Sequence, residues 1–291
     1  MKRLARLSCL SIATLAVSVQ AQPQTADARI LDADIEREVT ELLAGYALDR
    51  YEGDSEGLKK AVHHDAARRT IANHYWGQPS DEWIRPLAYD LFDAAGGPQD
   101  FHKRIDPENG TNEVAVFDTA SFTASAMLEM DRTIELVHAV EFEGEWVIAD
   151  ALVIDKGVTG EATEEDKAEI EQLIRDYVVG FYEIDGDKVQ STCHTGLSKR
   201  TVEHTQEGKV GFFRPITYEE IYLLAETFNR HFNFSPSARC EIDIYYADDK
   251  HAAAKVLAAS WFDYFQIAKV EGEWTIVNIM FEGLPEDQWQ R

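Results

Sequence analysis

The sequence predicts an α+β protein built from two tandem copies of one domain. An amphipathic helix followed by a Tyr-x-x-Asp motif occurs twice, 131 residues apart, and a predicted hairpin occurs twice, 128 residues apart. In each copy the helices come first and the strands follow, an order typical of helices packed on one face of an antiparallel sheet. The chain of 291 residues is also longer than one typical domain.

The first repeated block begins with a long helix whose apolar residues share one face. These residues are Ile35, Val39, Leu42, Leu43, Tyr46 and Ala47 in the first copy and Ile170, Leu173, Ile174, Tyr177, Val178 and Phe181 in the second. The same spacing then continues without a gap through His63 and His194, and through Arg68-Arg69 and Lys199-Arg200. We predict short helices at Leu58–His64 and Val189–His194 within this block.

The second repeated block is a predicted β-hairpin near the end of each copy. Glu143-Gly144-Glu145-Trp146 matches Glu271-Gly272-Glu273-Trp274, and apolar residues alternate on both sides of each turn. The spacing falls by three between the two blocks, so the middle segments differ in length. There we predict helices near Asp81–Ala94 and Thr217–Arg230. Matches at both ends of a domain-length segment indicate a duplication.

The first 21 residues have the pattern of a secretory signal peptide. Lys2, Arg3 and Arg6 precede the apolar stretch Leu7–Val19, and Ala21 is a suitable cleavage position. We therefore expect export to the periplasm or secretion, with domains at residues 29–157 and 163–291. No later segment is apolar enough to cross a membrane.

The charge balance excludes some partners. The chain carries 53 acidic and 28 basic residues, a formal net charge of −25, and removing the leader makes the balance more negative. Such a polyanion is repelled by nucleic acid and by anionic membranes. Cys193 and Cys240 could form a disulfide, although two separate thiols are favoured. Their spacing is not that of a zinc site. We expect neither a metal nor a cofactor.

At these motifs the chain resembles the SnoaL-like branch of the nuclear-transport-factor-2-like superfamily, and within it the putative lumazine-binding family. Members of that family often read Tyr-x-Gly-Asp, then His-Pro, then Lys/Arg-Arg. His64 and Thr195 stand where the family has proline. The resemblance implies two cone-shaped, cystatin-like domains, each a curved antiparallel sheet wrapped on the long N-terminal helix with a pocket at its open end. The matching positions are Tyr51, Gly53, Asp54, His63, Arg68 and Arg69, and Tyr182, Asp185, His194, Lys199 and Arg200.

One candidate catalytic set consists of an aspartate, a histidine and an arginine in each copy. A histidine beside a carboxylate can act as a general base, and an arginine can hold an anionic group. The alternative is structural: the aspartate caps the short helix, and the histidine ends it. Occurrence in both copies favours this structural role. The two sets are Asp54, His63 and Arg69, and Asp185, His194 and Arg200.

A second group of candidates would line a ligand pocket. Strand alternation gives each strand residue an even chance of facing the cone. Tyr75 and Trp76, in the variable middle of the first copy, could line an apolar pocket or belong to the core. The strand positions are Asp118, His138 and Asp150 in the first copy, which correspond to Tyr246, Gln266 and Asn278 in the second.

The favoured hypothesis is an exported tandem module that binds a small molecule or a protein partner without catalysis. The two copies would pack through their sheets as an intrachain pseudo-dimer, so that one chain supplies both sides of the interface. The alternative is a cofactor-independent lyase or isomerase that uses a His/Asp pair in one cone.

Overall fold

A computed structural model describes residues 31–75, 78–90, 110–204, 210–231 and 233–290. The predicted signal peptide and Trp76 lie outside these residues, and so does the side chain of Tyr75. The described chain forms two domains with the same order of helices and strands. Within the described ranges, no helix has both the length and the apolar character needed to cross a membrane.

The described residues of the first domain form two helices followed by six strands. The helices are α1 (Ala33–Glu52) and α2 (Ser55–Ala61); the strands are β1 (Val62–Tyr75), β2 (Gln78–Pro86), β3 (Asn112–Thr119), β4 (Thr123–Met130), β5 (Thr133–Phe142) and β6 (Glu145–Asp155).

The second domain repeats this plan, and a helix is described after its second strand, where residues 91–109 of the first domain lie outside the described range. Its elements are α3 (Glu164–Glu183), α4 (Gly186–Ser191), β7 (Cys193–His204), β8 (Val210–Ile216), α5 (Tyr218–Phe228), β9 (Cys240–Ala247), β10 (His251–Ala258), β11 (Trp261–Val270) and β12 (Glu273–Gly283), followed by a 3₁₀ turn at Glu286–Gln288.

Each domain contains one six-stranded sheet. The strand orders are β2-β1-β6-β5-β4-β3 and β8-β7-β12-β11-β10-β9. The last four strands of each domain are antiparallel, as predicted, but β1 pairs with β6 and β7 pairs with β12 in parallel. Each sheet is therefore mixed, because the two parallel strands are joined through the four strands between them in the chain rather than by a hairpin.

The predicted hairpin turns are confirmed, and their backbone angles explain the repeated Glu-Gly pair. Glu143 and Gly144 have φ values of 54° and 87°, and Glu271 and Gly272 have values of 52° and 88°. Two consecutive positive φ angles are typical of the two-residue turn that matches strand twist, and glycine adopts them without steric cost.

The middle segments correct one helix prediction and confirm another. The helix α5 lies where Thr217–Arg230 was predicted to be helical. In the first copy, by contrast, residues 81–86 belong to strand β2, which pairs with β1 and buries Ile84. Pairing at a sheet edge depends on residues distant in the sequence and overrides local helical preference. Residues 91–94 of the predicted helix lie outside the described residues. The short helices also end early, at Ala61 and Ser191, so that His63 and His194 lie in strands.

Two kinds of apolar core stabilise the molecule. The first kind fills the interior between the long helix and the sheet of each domain, which we call the first cone and the second cone. The second kind lies between the two sheets and draws side chains from both domains. Leu136, Leu152 and Ile154 contact Ala253 and Val277 there. The sheets therefore pack face to face within one chain, which agrees with the predicted arrangement.

Candidate functional site

Each cone contains a buried tyrosine, a buried basic residue and a buried acid. The long helix supplies the tyrosine, the first strand of the domain the basic residue, and the third of the four antiparallel strands the acid. The tyrosines and acids are 0% exposed, and the basic residues are at most 6% exposed. The sets are Tyr46, Arg68 and Glu135 in the first cone and Tyr177, Lys199 and Asp263 in the second, at the repeat spacings of 131 and 128.

The tyrosine and the acid of the first cone are both hydrogen-bonded. The Tyr46 hydroxyl accepts from Arg50 at 3.0 Å and from Arg68 at 2.9 Å, and it donates to Glu135 at 3.2 Å. Arg50 also donates to Glu135 at 2.5 Å. A buried polar network in which the tyrosine and the acid are both satisfied makes the core rigid. The first cone therefore has no tyrosine hydroxyl left for a ligand.

The set in the second cone leaves one group unsatisfied. Lys199 donates to Asp263 at 2.5 Å, and the Trp261 indole donates to the other carboxylate oxygen at 2.7 Å. The Tyr177 hydroxyl is buried close to the Asp263 carboxylate, but none of its contacts with the described residues has the distance and angles of a hydrogen bond. Three substitutions between the copies explain this: Phe181 replaces Arg50, Lys199 replaces Arg68, and the acid is one methylene shorter.

Burial determines the protonation of this second set. Burial, with a contribution from the charge of Asp263, raises the pKa of Tyr177 well above its ordinary value. Its hydroxyl therefore stays protonated and can donate. Burial lowers the pKa of Lys199, while the neighbouring carboxylate partly opposes this effect. Burial also raises the pKa of Cys193 to about 12, so that this thiol stays protonated. Cys193 and Cys240 are both free thiols.

Aromatic rings surround Tyr177. Its ring lies 5.2 Å from the ring of Phe181 and 5.4 Å from that of Phe265, both edge to face. Trp261 contacts the Phe228 ring on α5 at 4.9 Å. The polar set of the second cone is thus embedded in aromatic side chains, which favour flat apolar groups.

The structure does not form the predicted acid–base pair of Asp54 and His63. Asp54 caps α2 by accepting from the backbone N–H groups of Glu56 and Gly57, and Asp185 caps α4 by accepting from Lys188. His63 lies beyond the opposite end of α2, roughly 10 Å away along seven helical residues. No hydrogen bond or ion pair between described residues joins the two side chains. The aspartates therefore have the structural role that the sequence left as the alternative.

The two histidines start strands and stabilise the turns that follow them. Nδ1 of His63 accepts from the N–H of Asp65 at 3.1 Å, and Nδ1 of His194 accepts from the N–H of Gly196 at 3.0 Å. The His63 ring also packs against Phe142 of its own domain and Phe213 of the other, at 4.8 and 4.4 Å. His63 is thus part of the contact between the domains.

A possible metal-ligand group lies at the same turn. His63, His64 and Asp65 bring one ligand atom each within 4.8 Å of one another. However, Nδ1 of His63 already accepts a backbone N–H, so the neutral ring carries its proton on Nε2. Neither nitrogen of His63 then offers a lone pair without breaking this arrangement. The geometry does not favour cation binding here.

The burial of His63 predicts a stability loss in acid. Burial lowers its pKa from the ordinary 6.5 to about 4, with a smaller contribution from His64. The unfolded chain therefore binds a proton more readily than the folded chain. The contribution of neutral His63 to the free energy of unfolding is fully present above pH 6.5 and is lost as the pH falls toward about 4. We expect roughly 1–2 kcal/mol, less than the full shift implies because water reaches part of the ring.

Urea unfolding of the wild-type chain and of His63→Phe between these pH values measures this effect. The phenylalanine keeps a ring between its two aromatic neighbours but cannot titrate, so the pH slope should flatten. His64→Asn, at an exposed ring, is the matched control and should keep the wild-type slope. An unchanged slope in His63→Phe would assign the acid loss to another group.

The predicted pocket-wall residues of the first copy lie between the sheets rather than in a cone. His138 Nδ1 is 3.3 Å from Asp150, and the other carboxylate oxygen of Asp150 is 3.3 Å from Nε of Arg200, in the second domain. Asp118 accepts from Tyr245 at 2.9 Å and pairs with Lys255. The predicted location of these three residues was wrong, because they point to the opposite face of their strands.

Their counterparts in the second copy occupy the same interface. Gln266 donates to the carbonyl of Leu136 at 2.9 Å, and Asn278 donates to the carbonyl of Ala67 at 3.1 Å. Tyr246 packs among the apolar residues between the sheets and donates to Asp248 at 3.0 Å. Alternation alone could not distinguish the two faces, because both faces of each sheet are buried.

Sequence reasoning missed the two buried acids, Glu135 and Asp263. Both are single charged residues inside apolar strand segments, and both occur at the same repeat position. That combination was the available signal, since an inward charge in a strand needs a buried partner.

An open groove of about 350 Å³ lies outside the second cone, between α3 and the β11–β12 hairpin. None of the polar residues of the cone reaches it. Its lining consists of Glu169, Gln172, Leu173, Asp176, Gly272, Glu273 and Trp274.

Both domains share one α+β topology, and solved structures described as NTF2-like or as having a cystatin-like fold are similar to a domain of this chain. Residues 165–282 match the model of the family described as "Putative lumazine-binding". This match covers most of the second domain and less than half of the chain. No curated protein matches the chain.

Solved structures with similar domains include three bacterial proteins. An NTF2-like protein of unknown function from Shewanella baltica OS155 is 17% identical, covers 43% of this chain and 100% of its own, and has a TM-score of 0.35. One from Silicibacter pomeroyi DSS-3, also of unknown function, is 16% identical over 44% and 100%, with a TM-score of 0.34. A protein described as a putative scytalone dehydratase from Novosphingobium aromaticivorans DSM 12444 is 11% identical over 42% and 85%, with a TM-score of 0.34.

Proposed function

We propose that this protein is an exported, non-catalytic binding protein that holds a small molecule in its second cone. The observation that carries the proposal is the Tyr177 hydroxyl, which is buried without a partner beside Lys199 and Asp263. Leaving a buried hydroxyl unsatisfied costs about 1–3 kcal/mol. A ligand with an acceptor atom at this position would offset that cost.

The residues around Tyr177 suggest the chemistry of the ligand. Tyr177 supplies a hydroxyl donor, and Lys199 supplies an ammonium group that its acid partner holds in place. The rings of Phe181 and Phe265 favour a flat apolar body. The ligand class that these side chains would recognise is a planar, aromatic molecule with a carbonyl or similar acceptor oxygen. The likeness of the second domain to a family named for lumazine binding supports a ligand of this kind.

The difference between the two cones supports a division of roles. In the first cone Tyr46 makes three side-chain hydrogen bonds to Arg50, Arg68 and Glu135, so that its network is closed. The first domain then acts as the partner that covers the sheet of the second, as one subunit of a dimer would. One chain thus forms an intrachain pseudo-dimer with a single binding cone.

A lyase or isomerase built on a His/Asp pair has less support. Asp54 and Asp185 cap helices, and the His138–Asp150 pair is enclosed between the sheets. A general base must reach the proton that it removes from a substrate. The described geometry offers no such pair inside a cone.

Native mass spectrometry of the chain purified from its own compartment tests the proposal. We expect a retained small molecule in the wild-type protein and its loss in Tyr177→Phe, because the substitution removes only the unpartnered hydroxyl. The same change should leave stability unaltered or slightly increased. Tyr46→Phe is the matched control: it should keep the ligand but lose about 1–3 kcal/mol of stability, since three hydrogen bonds disappear.

Three outcomes would contradict parts of the proposal. Retention of the ligand by Tyr177→Phe together with its loss in Tyr46→Phe would place the site in the first cone. A co-purifying protein without a small molecule would favour partner binding, and turnover of a ligand would favour an enzyme. The intact mass of the same preparation tests export, because cleavage after Ala21 removes a defined N-terminal segment.

A further inference from the structure

The second arginine of each repeated motif extends toward the other domain. Arg200, on β7, donates to the backbone carbonyl of Asp65 in the first domain at 2.7 Å. Arg69, on β1, places its Nη1 atom 3.2 Å from the position that a Cβ on Gly196 of the second domain would occupy. Glycine at this position lets the guanidinium approach the backbone of the neighbouring domain. The two arginines are thus related by the repeat and cross the same junction in opposite directions.

Only one of these two arginines is satisfied. Arg200 donates twice to Ser198, at 3.0 and 2.7 Å, and its Nε atom is 3.3 Å from Asp150. The Arg69 side chain forms no hydrogen bond or ion pair with any residue that the structure describes, and its Nε atom is buried.

Sequence differences between the copies explain why Arg69 lacks partners. Ala67 stands where the second copy has Ser198, so the neighbouring hydroxyl is absent. Asn278 stands where the first copy has Asp150, so the carboxylate is replaced by a neutral amide. Arg69 therefore lacks the counterparts of both Ser198 and Asp150, the two side chains that contact Arg200.

The charges at the junction do not balance. Asp150 is the carboxylate that acts on Arg69, and it already contacts His138 and Arg200. Burial lowers the pKa of Arg69, with Asp150 opposing and Arg200 adding to the effect. A guanidinium with an ordinary value of 12.5 stays charged under these conditions. Two cations thus share one carboxylate, and a partly desolvated cation without an acceptor is unfavourable.

We propose that Arg69 anchors an anion-binding site at the domain junction, which takes a small oxyanion or a carboxylate group. The flat guanidinium can donate two parallel hydrogen bonds to either chemistry. Gly196 is exposed, so solutes can reach this side of the junction. His194 lies beside it, and because its Nδ1 accepts the Gly196 N–H, its ring proton is on Nε2. The high negative charge of the chain makes a small, closely held anion more suitable than a large polyanion.

This site is separate from the second cone. Tyr177 lies inside the cone, whereas Arg69 lies on the face of its sheet that meets the other domain. The two sites can therefore be tested independently. Tyr177→Phe should leave anion binding unchanged, so that failure of one proposal does not decide the other.

Isothermal titration calorimetry on the full chain with inorganic phosphate, and separately with acetate, tests the anion site. We expect saturable binding of at least one of the two anions. Binding of phosphate would identify a site for an oxyanion, and binding of acetate would identify a site for a carboxylate group. Arg69→Met should weaken binding about tenfold to a hundredfold, because a charge-assisted contact is lost. Arg69→Lys should be weakened less, since lysine keeps the charge but not the paired donors.

Two further variants make the result specific. Arg85→Met is the matched control: Nε of Arg85 is likewise buried without a partner among the described residues, but Arg85 lies opposite Thr70 in the sheet and faces away from the junction. Its affinity should equal that of the wild type. Asn278→Asp restores a carboxylate at the repeat position of Asp150, so it should satisfy Arg69 internally and abolish anion binding. Thermal unfolding of each variant without anion checks that it folds. If Arg69→Met does not fold, the two single variants Arg69→Lys and Asn278→Asp test the site instead.

The proposal is overturned by any of three results. The first is that the wild-type chain binds neither anion at millimolar concentration. The second is that Arg69→Met binds as tightly as the wild type, and the third is that Arg85→Met loses as much affinity as Arg69→Met. The last result would assign the binding to overall charge rather than to the junction.

Discussion

Asp263→Ala is expected to destabilise the second domain by about 3–5 kcal/mol, because removing one partner of a buried ion pair leaves the other charge uncompensated. The substitution strands the Lys199 ammonium, which is 3% exposed, and also removes the acceptor of the Trp261 indole. Urea unfolding followed by tryptophan fluorescence measures the loss.

The double variant Lys199→Met with Asp263→Leu is the control for this prediction. Replacing both charges with apolar side chains of similar size is often neutral or stabilising. We expect the double variant to recover most of the stability that Asp263→Ala loses. Equal losses in the single and the double variant would show that shape, rather than charge, accounts for the effect.

Leu136→Ala is expected to cost about 2–5 kcal/mol, because it opens a cavity in a closely packed core. Leu136 is 0% exposed and lies between the sheets, where it contacts residues of the second domain such as Ala253 and Val277. The cavity should weaken the contact between the domains as well as the first domain itself. Urea unfolding followed by circular dichroism should therefore show a lower midpoint and a less cooperative transition.

Leu48→Ala is the matched control for the interface prediction. Leu48 lies on α1 and is 44% exposed, so the same change in side chain should alter stability by less than about 0.5 kcal/mol. If both variants lose the same small amount, the sheets do not pack as tightly as the structure indicates.

Local features of the fold could be predicted from the sequence because they depend on nearby residues. The long helices follow from apolar residues on one face, and the structure begins them at the caps Asp32 and Thr163. The hairpins follow from the Glu-Gly pairs, whose positive φ angles the structure contains. The strand β2 could not be predicted in the same way, because its pairing with β1 depends on residues distant in the sequence.

The candidate site was predictable only in part. For the aspartates of the Tyr-x-x-Asp motif, the alternative prediction of a helix-capping role is confirmed, since Asp54 and Asp185 cap short helices. The buried acids Glu135 and Asp263 were missed, because a charge in a strand shows its partner only when the strand is placed beside the long helix. The wall positions, such as His138, had an even chance of facing the cone, and the structure places them on the face that meets the other domain.

The sequence by itself determined the duplication, the order of helices and strands, and the positions where the copies differ, because these follow from spacing, periodicity and turn chemistry along the chain. Only the tertiary structure decided which face of each strand meets the cone and which meets the other domain. Both faces of each sheet are buried, so the alternation of apolar residues along a strand does not distinguish one face from the other. For the same reason, only the structure could show that Tyr177 and Arg69 lack partners while Tyr46 and Arg200 have them. A hydrogen bond between distant residues depends on where the folded chain brings its donors and acceptors together.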